Sequence, residues 1–495
     1  MTTINHQTVQ QVAANDRDSL TYHPRPESVE RRGPGVLHLG LGGFHRAHQA
    51  MVFDELIAAG DDRWGVCAIG MRSDKLTAQL QHQDLLYLVR IAGAKGTHWY
   101  APSSIIKTLV AATERDAVVE QIAHPQTRWI TLTVTEKAYG PELAQLIVDG
   151  LAIRHQKNQP GLTIVSCDNL PENGRVLQSL CLAQAEHDPR LGAWIQTQCR
   201  FPSSMVDRIV PAPSVQVSDA AQQDLGLNDA TALGVEPFWE WVIEDTLVEP
   251  SDADALRTVG VVVTDSVKGF AQAKLWMLNG SHTVLASAGA VLGDRFIREV
   301  TARPALRRFI HGFMSHASGP LVGRPQWQDY RDALIERFSN PLLDHAALQI
   351  LSDSSAKIPV RWVPVAKRLL KKVEADQDGA SRVGLEHMAI AFALFVRSLH
   401  PVTEAGEAFV FNDPLAVELQ ALAKDQEANP APVIWQLLNH SDPRLTLFGD
   451  AFKQNREFAS SASHWLGGIH ALGIEPALVL AEGKIAGMAA GTVAP

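Results

Sequence analysis

The chain has 495 residues, 46% hydrophobic and 20% charged, with a net charge of −10 at pH 7. That length exceeds one ordinary core and predicts two large domains of a globular protein, while the acidic balance argues against nucleic acid and anionic membrane surfaces as partners. No apolar run reaches the length of a membrane span, the polar start MTTINHQTVQQVAANDRDSL has no signal-peptide core, and four cysteines without CxxC spacing suit a reduced, cytoplasmic protein without structural zinc.

Residues 1–32 read as a polar lead-in that ends in a Gly33-Pro34-Gly35 turn. Val36–Leu39 is a short strand, and Gly40-Leu41-Gly42-Gly43 follows it into a segment of helical character through about Ala59. Strand, glycine turn and helix in that order are what a dinucleotide phosphate loop requires: Gly40 for the tight turn and Gly42 for backbone approach to a pyrophosphate. His45 holds the place of the usual third glycine, and many GxG turns bind nothing. Trp64–Gly70 reads as the second strand. Beyond it, Asp74 is the candidate acid for a ribose hydroxyl, while Arg72 is nearer and suits a 2′-phosphate, so NAD and NADP both stay open. Asp84–Arg90 and His98–Tyr100 suggest further strands, and Ala117–Ile122 a helix.

Trp129–Thr135 is a β-branched run with the character of a central parallel strand. It ends in Glu136, a site candidate because ligands of open α/β sheets sit beyond the carboxyl ends of strands. Leu162–Cys167 is another strand, ending in Asp168-Asn169, and Val259–Thr264 is the last. Asp207-Arg208 is a polar pair in an apolar stretch, for which a structural ion pair is the plain account.

Ala271–Leu292 then runs without proline, rich in Ala and Leu, and predicts one long buried helix. Lys274, Asn279 and His282 interrupt its apolar pattern. At about 100° per residue they fall at roughly 0°, 140° and 80°, on one side of the axis. Burial of Lys274 lowers its pKa toward the range of a general base. The competing account is a lysine that snorkels to solvent and a satisfied core histidine. Beyond this helix strand signals fade. Ala305–His316, Trp327–Phe338, Val365–Ala375, Gly384–Leu399, Pro414–Ala423, Trp465–Leu472 and Pro476–Ala490 read as helices, separated by turns such as Asn429-Pro430-Ala431-Pro432. The fold class is therefore α/β: a Rossmann-type dinucleotide-binding domain over residues 1–268, then a mostly α-helical domain over 269–495.

HLGLGGFHRAHQ (38–49), TVTEKAY (133–139), SCDNLPENG (166–174), MVDRIVP (205–211), EPFWEWVIED (236–245), KLWMLNGSH (274–282), RFSNP (337–341) and KIP (357–359) occur in that order along the chain. In these segments it resembles the mannitol dehydrogenase family, the polyol-specific long-chain dehydrogenases. The resemblance implies zinc-independent hydride transfer between NAD(H) and a sugar C–OH/C=O pair, in a monomer. It makes Lys274 the general acid/base, with Asn279, His282 and Asn169 around the reacting oxygen. Glu136 passes the lysine proton to water, and Asp207 and Lys357 are substrate ligands. Phe44, His45 and Arg46 join Gly40, Gly42 and Asp74 as the candidate cofactor set.

The chain departs from the common family pattern at Ala271, where many members carry an acid, at Trp276, and at Gln349, where polyol members often carry arginine. The spellings of the first half are nearest the fructuronate reductase branch. The expected substrate pair is therefore D-mannonate and D-fructuronate, with mannitol/fructose or arabinitol as alternatives. A nucleotide-binding sensor without turnover is the alternative of another class. No YxxxK occurs at any of the five tyrosines, which argues against the short-chain dehydrogenase mechanism.

Overall fold

The computed structural model describes residues 2–16, 18–375 and 379–490. The chain divides into two compact units, Met1–Lys268 and Gly269–Pro495.

The first unit is built on a five-stranded parallel sheet: β1 (Val36–Leu39), β2 (Val66–Gly70), β3 (Ile105–Val110), β4 (Trp129–Leu132) and β5 (Thr163–Ser166). Its order is β3-β2-β1-β4-β5, all neighbours parallel. The chain reverses direction across the sheet between β1 and β4, where a doubly wound sheet opens its binding crevice. Successive residues of these strands feed opposite cores. Val36, Val66 and Trp129 pack with Phe53 and Leu56 of helix Gln49–Ala58. Leu37, Cys67 and Ile130 pack on the other face with Val118 of Arg115–Ile122 and Ile147 of Pro141–Gln156. Both faces being covered, the strands are buried along most of their length rather than alternating between core and solvent.

Several elements differ from expectation. The lead-in is folded: helix His6–Asn15 carries an Asn5/Thr8 capping box, and Leu20–Tyr22 joins a second sheet with Gly96–Ala101, Val89–Gly93 and Leu233–Val235. The predicted strand at Asp84–Arg90 begins only at Val89, because Asp84 and Leu85 take left-handed conformations with φ of 54° and 63°. The helix expected through Ala59 is broken after Arg46 and resumes at Gln49.

Helix Gln49–Ala58 is pinned from beneath by Asp54, whose carboxylate is fully buried and accepts from the Ser103 amide (2.7 Å), the Ser103 hydroxyl (3.1 Å) and the Tyr100 hydroxyl (2.9 Å). Burial raises its pKa to about 6. The folded state then holds a proton that the unfolded chain releases near pH 4, so this group's contribution to stability falls as pH rises from about 4 to about 6. Urea melts across that window should show the slope in the native chain and a flatter one in Asp54→Asn.

The second unit is helical. Its core helix Gly379–Ser398 packs on Arg456–Leu472, Val363–Glu374 and Asn279–Leu292. Among the described residues Gly379–Ser398 alone is long and apolar enough to cross a membrane, and the apolar window is 78% buried inside the protein, so its apolarity is that of a core. The expected turn at Asn429-Pro430-Ala431-Pro432 is instead the start of helix Pro430–Asn439, since proline is tolerated in a first turn.

The lysine helix is not one regular helix. Lys268–Ala273 is α-helical, Lys274–Leu278 is a π-turn, and Asn279–Leu292 is α-helical again. The Asn279 amide bonds back to the carbonyl of Lys274, five residues earlier, as well as to that of Leu275. A π-turn takes in one extra residue, so everything beyond it is turned back by about 100°.

Candidate active site

In the first unit a crevice of about 700 Å³ lies at the carboxyl ends of the parallel strands. Gly40, Gly42, Arg72, Arg115, Thr135 and Lys137 contribute to its wall. The two glycines serve different ends. Gly40 has φ of 103°, and a Cβ there would lie 2.3 Å from the carbonyl oxygen of Thr133, so the β1–β4 junction itself requires glycine. At Gly42 a Cβ would meet nothing closer than the Gly40 carbonyl at 3.6 Å. The chain tolerates a side chain there, and a pyrophosphate lying on the loop would not. A dinucleotide fits these residues: a bare backbone loop at the sheet's reversal point, with three basic side chains on the same wall. Gly42→Val should therefore keep its melting temperature while NADH affinity, read by titration calorimetry, falls by about tenfold or more. Unchanged affinity would remove the loop from the cofactor site.

The residues after the loop do not reach the crevice as expected. Arg46 is 2% exposed, donates to the carbonyl of Thr231 at 2.6 Å and lies over the Tyr87 ring. It ties the loop to the second sheet and is a structural arginine. His45 is fully buried and stacks on His38 with ring centroids 3.4 Å apart. Burial holds both imidazoles well below their usual pKa, to about 3 for His38, so two neutral rings stack without repulsion. A flat neutral ring against β1 thus occupies the close contact that the absent third glycine would make. Phe44 stacks on His48. Asp74 is exposed at the start of helix Lys75–Gln81 and is absent from the crevice wall, where Met71 and Arg72 stand instead.

Two residues missed in the sequence shape the far side of the crevice. Asp168 accepts from the amides of Val134 (3.1 Å) and Thr135 (2.9 Å) and from the Tyr139 hydroxyl (2.9 Å). It holds the loop after β4 against the end of β5, and so sets the place of exposed Glu136 relative to Asn169. Thr135, with φ of 71°, turns the chain out of the strand there. Asn173 donates to the carbonyls of Ser166, Asp168 and Ser204 and accepts from the Ser204 amide, each at 3.0 Å. Half of the SCDNLPENG motif is therefore a clamp between strands. Its signal was available in the paired acids and amides, but which of them faced inward was not.

Asp207 ends the strand Ser204–Asp207, 2% exposed, paired in register with Glu240. The expected ion pair within Asp207-Arg208 is replaced, on the arginine's side, by bonds to carbonyls: Arg208 donates to Ala47 at 2.6 Å and Glu236 at 2.9 Å.

In the second unit the π-turn brings the polar residues together. Measured from Lys274, Asn279 moves to roughly 40° and His282 to roughly 340°, an arc of about 60° in place of 140°. Two side chains at the C-terminal end of helix Ser354–Arg361 hold the turn that follows. Arg361 donates to the Asn279 carbonyl (3.2 Å) and the Thr283 hydroxyl (2.9 Å), and the Trp362 indole donates to the Gly280 carbonyl (3.0 Å). His282 is 5% exposed, packs against Phe338 and His345, and its Nε2 has no partner. Burial, and then His345, keep its pKa well below the usual value, so it is neutral at pH 7. Lys357 donates to the carbonyls of Ile350 (3.0 Å) and Ser352.

Comparison with known proteins settles the lineage. The mannitol dehydrogenase Rossmann domain matches residues 34–253, and the mannitol dehydrogenase C-terminal domain matches 266–465. The chain belongs to the mannitol dehydrogenase family. It is 34% identical to D-mannonate oxidoreductase of Escherichia coli over 86% of this chain and 91% of that one. It is 31% identical to mannitol 2-dehydrogenase of Aspergillus terreus over 90% and 92% of the two chains. A solved ternary complex of Pseudomonas fluorescens mannitol 2-dehydrogenase with NAD and D-mannitol superposes with a TM-score of 0.77 at 29% identity, covering 97% of this chain and 100% of that one. D-sorbitol dehydrogenase shares the fold, with a TM-score of 0.80 at 24% identity. This member of the family is an oxidoreductase whose lysine helix carries a π-turn at the lysine itself.

Proposed function

We propose that the chain is an NAD-dependent reductase of a sugar acid, interconverting D-mannonate and D-fructuronate. One observation carries the chemistry: the π-turn sets Lys274, Asn279 and His282 within one narrow arc of a buried helix. A base and two neutral polar groups on one side are what a secondary alcohol needs when its hydroxyl proton leaves and negative charge builds on oxygen. The likeness to D-mannonate oxidoreductase supports the substrate class.

Gly40, Gly42, Arg72 and Lys137 would hold the dinucleotide, which when bound accepts or returns the hydride at the carbinol carbon. Lys274 takes the hydroxyl proton in oxidation and gives it back in reduction. Asn279 and Asn169 donate to the developing oxyanion, and neutral His282 presents Nε2 on the same side as Lys274. Asp207 binds a substrate hydroxyl, Lys357 a polar group of the substrate, and Glu136 passes the lysine proton to water.

Steady-state kinetics with fructuronate and fructose, each with NADH, tests the reading. A kcat/KM for fructuronate higher by about tenfold or more is expected, since a buried charge-assisted contact is worth at least that. A higher value for fructose restores the mannitol/fructose reading, which the mannitol 2-dehydrogenase relatives favour. No turnover with either substrate would leave the nucleotide-binding sensor. Parallel assays with NADPH are informative because Arg72, rather than Asp74, stands on the crevice wall.

A further inference from the structure

Helix Ser354–Arg361 carries Lys357 and Arg361 four residues apart, on one side of a short helix. Two cations at that spacing repel, and the repulsion is visible in the lysine, whose pKa is lowered by burial first and by Arg361 next. Lys357 has Asp353 and Asp413 in its field and two carbonyls as partners. Arg361 has no carboxylate opposing the burial that lowers its pKa. Its guanidinium is bonded to a backbone carbonyl and a hydroxyl, and among the described residues no carboxylate lies within ion-pair distance of it.

The groups that act on the neighbouring His282 are burial, a second imidazole and two arginines. His282 stands one residue before Thr283, the hydroxyl partner of Arg361, and His345 lies with its ring centroid 5.0 Å from that of His282. Burial holds both imidazoles neutral, with the pKa of His345 at about 4. Each leaves one ring nitrogen buried without a partner, Nε2 of His282 and Nδ1 of His345. Arg337, 6% exposed, adds a further positive charge to the field at His282. A desolvated guanidinium without a counter-ion is unfavourable unless something else brings the negative charge. The planar donor fork of arginine matches a carboxylate in two parallel hydrogen bonds.

We infer that Arg361 receives the carboxylate of the sugar acid, with the orphaned imidazole nitrogens beside it taking hydroxyls of the same molecule. Arg361 is thus the residue that separates a uronate from the matching ketose, in which a neutral CH₂OH stands where the carboxylate would be. It does so beside Asn279, whose carbonyl it also holds. The inference rests on the proposed uronate reductase activity.

The experiment compares Arg361→Gln and Arg361→Lys with the native enzyme on fructuronate and fructose with NADH. Glutamine keeps an amide donor for the Asn279 carbonyl and removes the charge. The ratio of kcat/KM for fructuronate to that for fructose should fall by about 30-fold or more in Arg361→Gln, chiefly through KM. Arg361→Lys should recover part of it. A loss of the same factor on both substrates makes Arg361 only a clamp on the lysine helix, and an unchanged ratio also overturns the inference. Should Arg361→Gln fail to fold, inhibition of the native enzyme by an aldonate and by the matching alditol decides: equal inhibition sinks the assignment. A native enzyme that prefers fructose fails the substrate reading itself, and that outcome is seen before any variant is made.

Discussion

Lys274→Ala should lower kcat for both directions of the reaction by about 10²–10⁴-fold, the usual worth of a positioned general acid/base. NADH affinity should stay within a few-fold of native, because the glycine loop belongs to the other compact unit of the chain. The distinction from a structural lysine lies in the pH profile. In alcohol oxidation the native rate should rise as the ammonium gives up its proton, and the variant should lose that limb while keeping any other ionisation. Small primary amines added to Lys274→Ala should return part of the rate by entering the vacated space. Native kcat with a native profile would make Lys274 structural and leave Asn279 and His282 without a base to serve. Burial holds the pKa of the neighbouring histidine well below its usual value, which weakens it as a base.

The fold was largely legible because its signals are local and redundant. Val36–Leu39, Trp129–Leu132 and Thr163–Ser166 are short β-branched or leucine-rich runs, buried on both faces, and no other placement covers them. Gly40 announces itself because the β1–β4 junction leaves no room for a Cβ. The proline-bearing start of helix Pro430–Asn439 was misread because the same residues that make turns also open helices. Arg46 and His45 looked like ligands of a phosphate loop, yet their surroundings are set by Thr231, Tyr87 and His38, partners far away in the chain or across a strand. The face a side chain shows is a tertiary property, which periodicity reads only where an element is long and regular. Lys274, Asn279 and His282 met that condition in name only: the three residues were visible, and the turn that aligns them was not. A π-turn leaves no propensity signal. It survives because Arg361 and Trp362 grip the carbonyls just beyond it.

That turn supports a second large effect. Inserting one alanine between Leu275 and Trp276 changes the spacing across it with every candidate catalytic residue still present. Trp276, Met277 and Leu278 are buried, whereas Leu275 is only partly so, and the insertion leaves the three in register with Asn279 and the packed helix beyond. Arg361 and Trp362 keep their carbonyl partners on that side of the turn. The change falls on the segment before the insertion, so Lys274 swings by about 100° relative to Asn279 and His282. The arc they share opens from about 60° to about 140°, and a base displaced by that much no longer meets the hydroxyl its neighbours hold. Turnover should fall by about 10²-fold or more, approaching Lys274→Ala, while far-ultraviolet circular dichroism and NADH titration stay near native. If a folded insertion variant keeps kcat within a few-fold, the alignment across the turn has no part in placing the base. Deleting Leu275 is the control: it removes the extra residue of the π-turn, and four residues at about 100° each leave Asn279 at the same roughly 40° from Lys274, so most of the activity should remain.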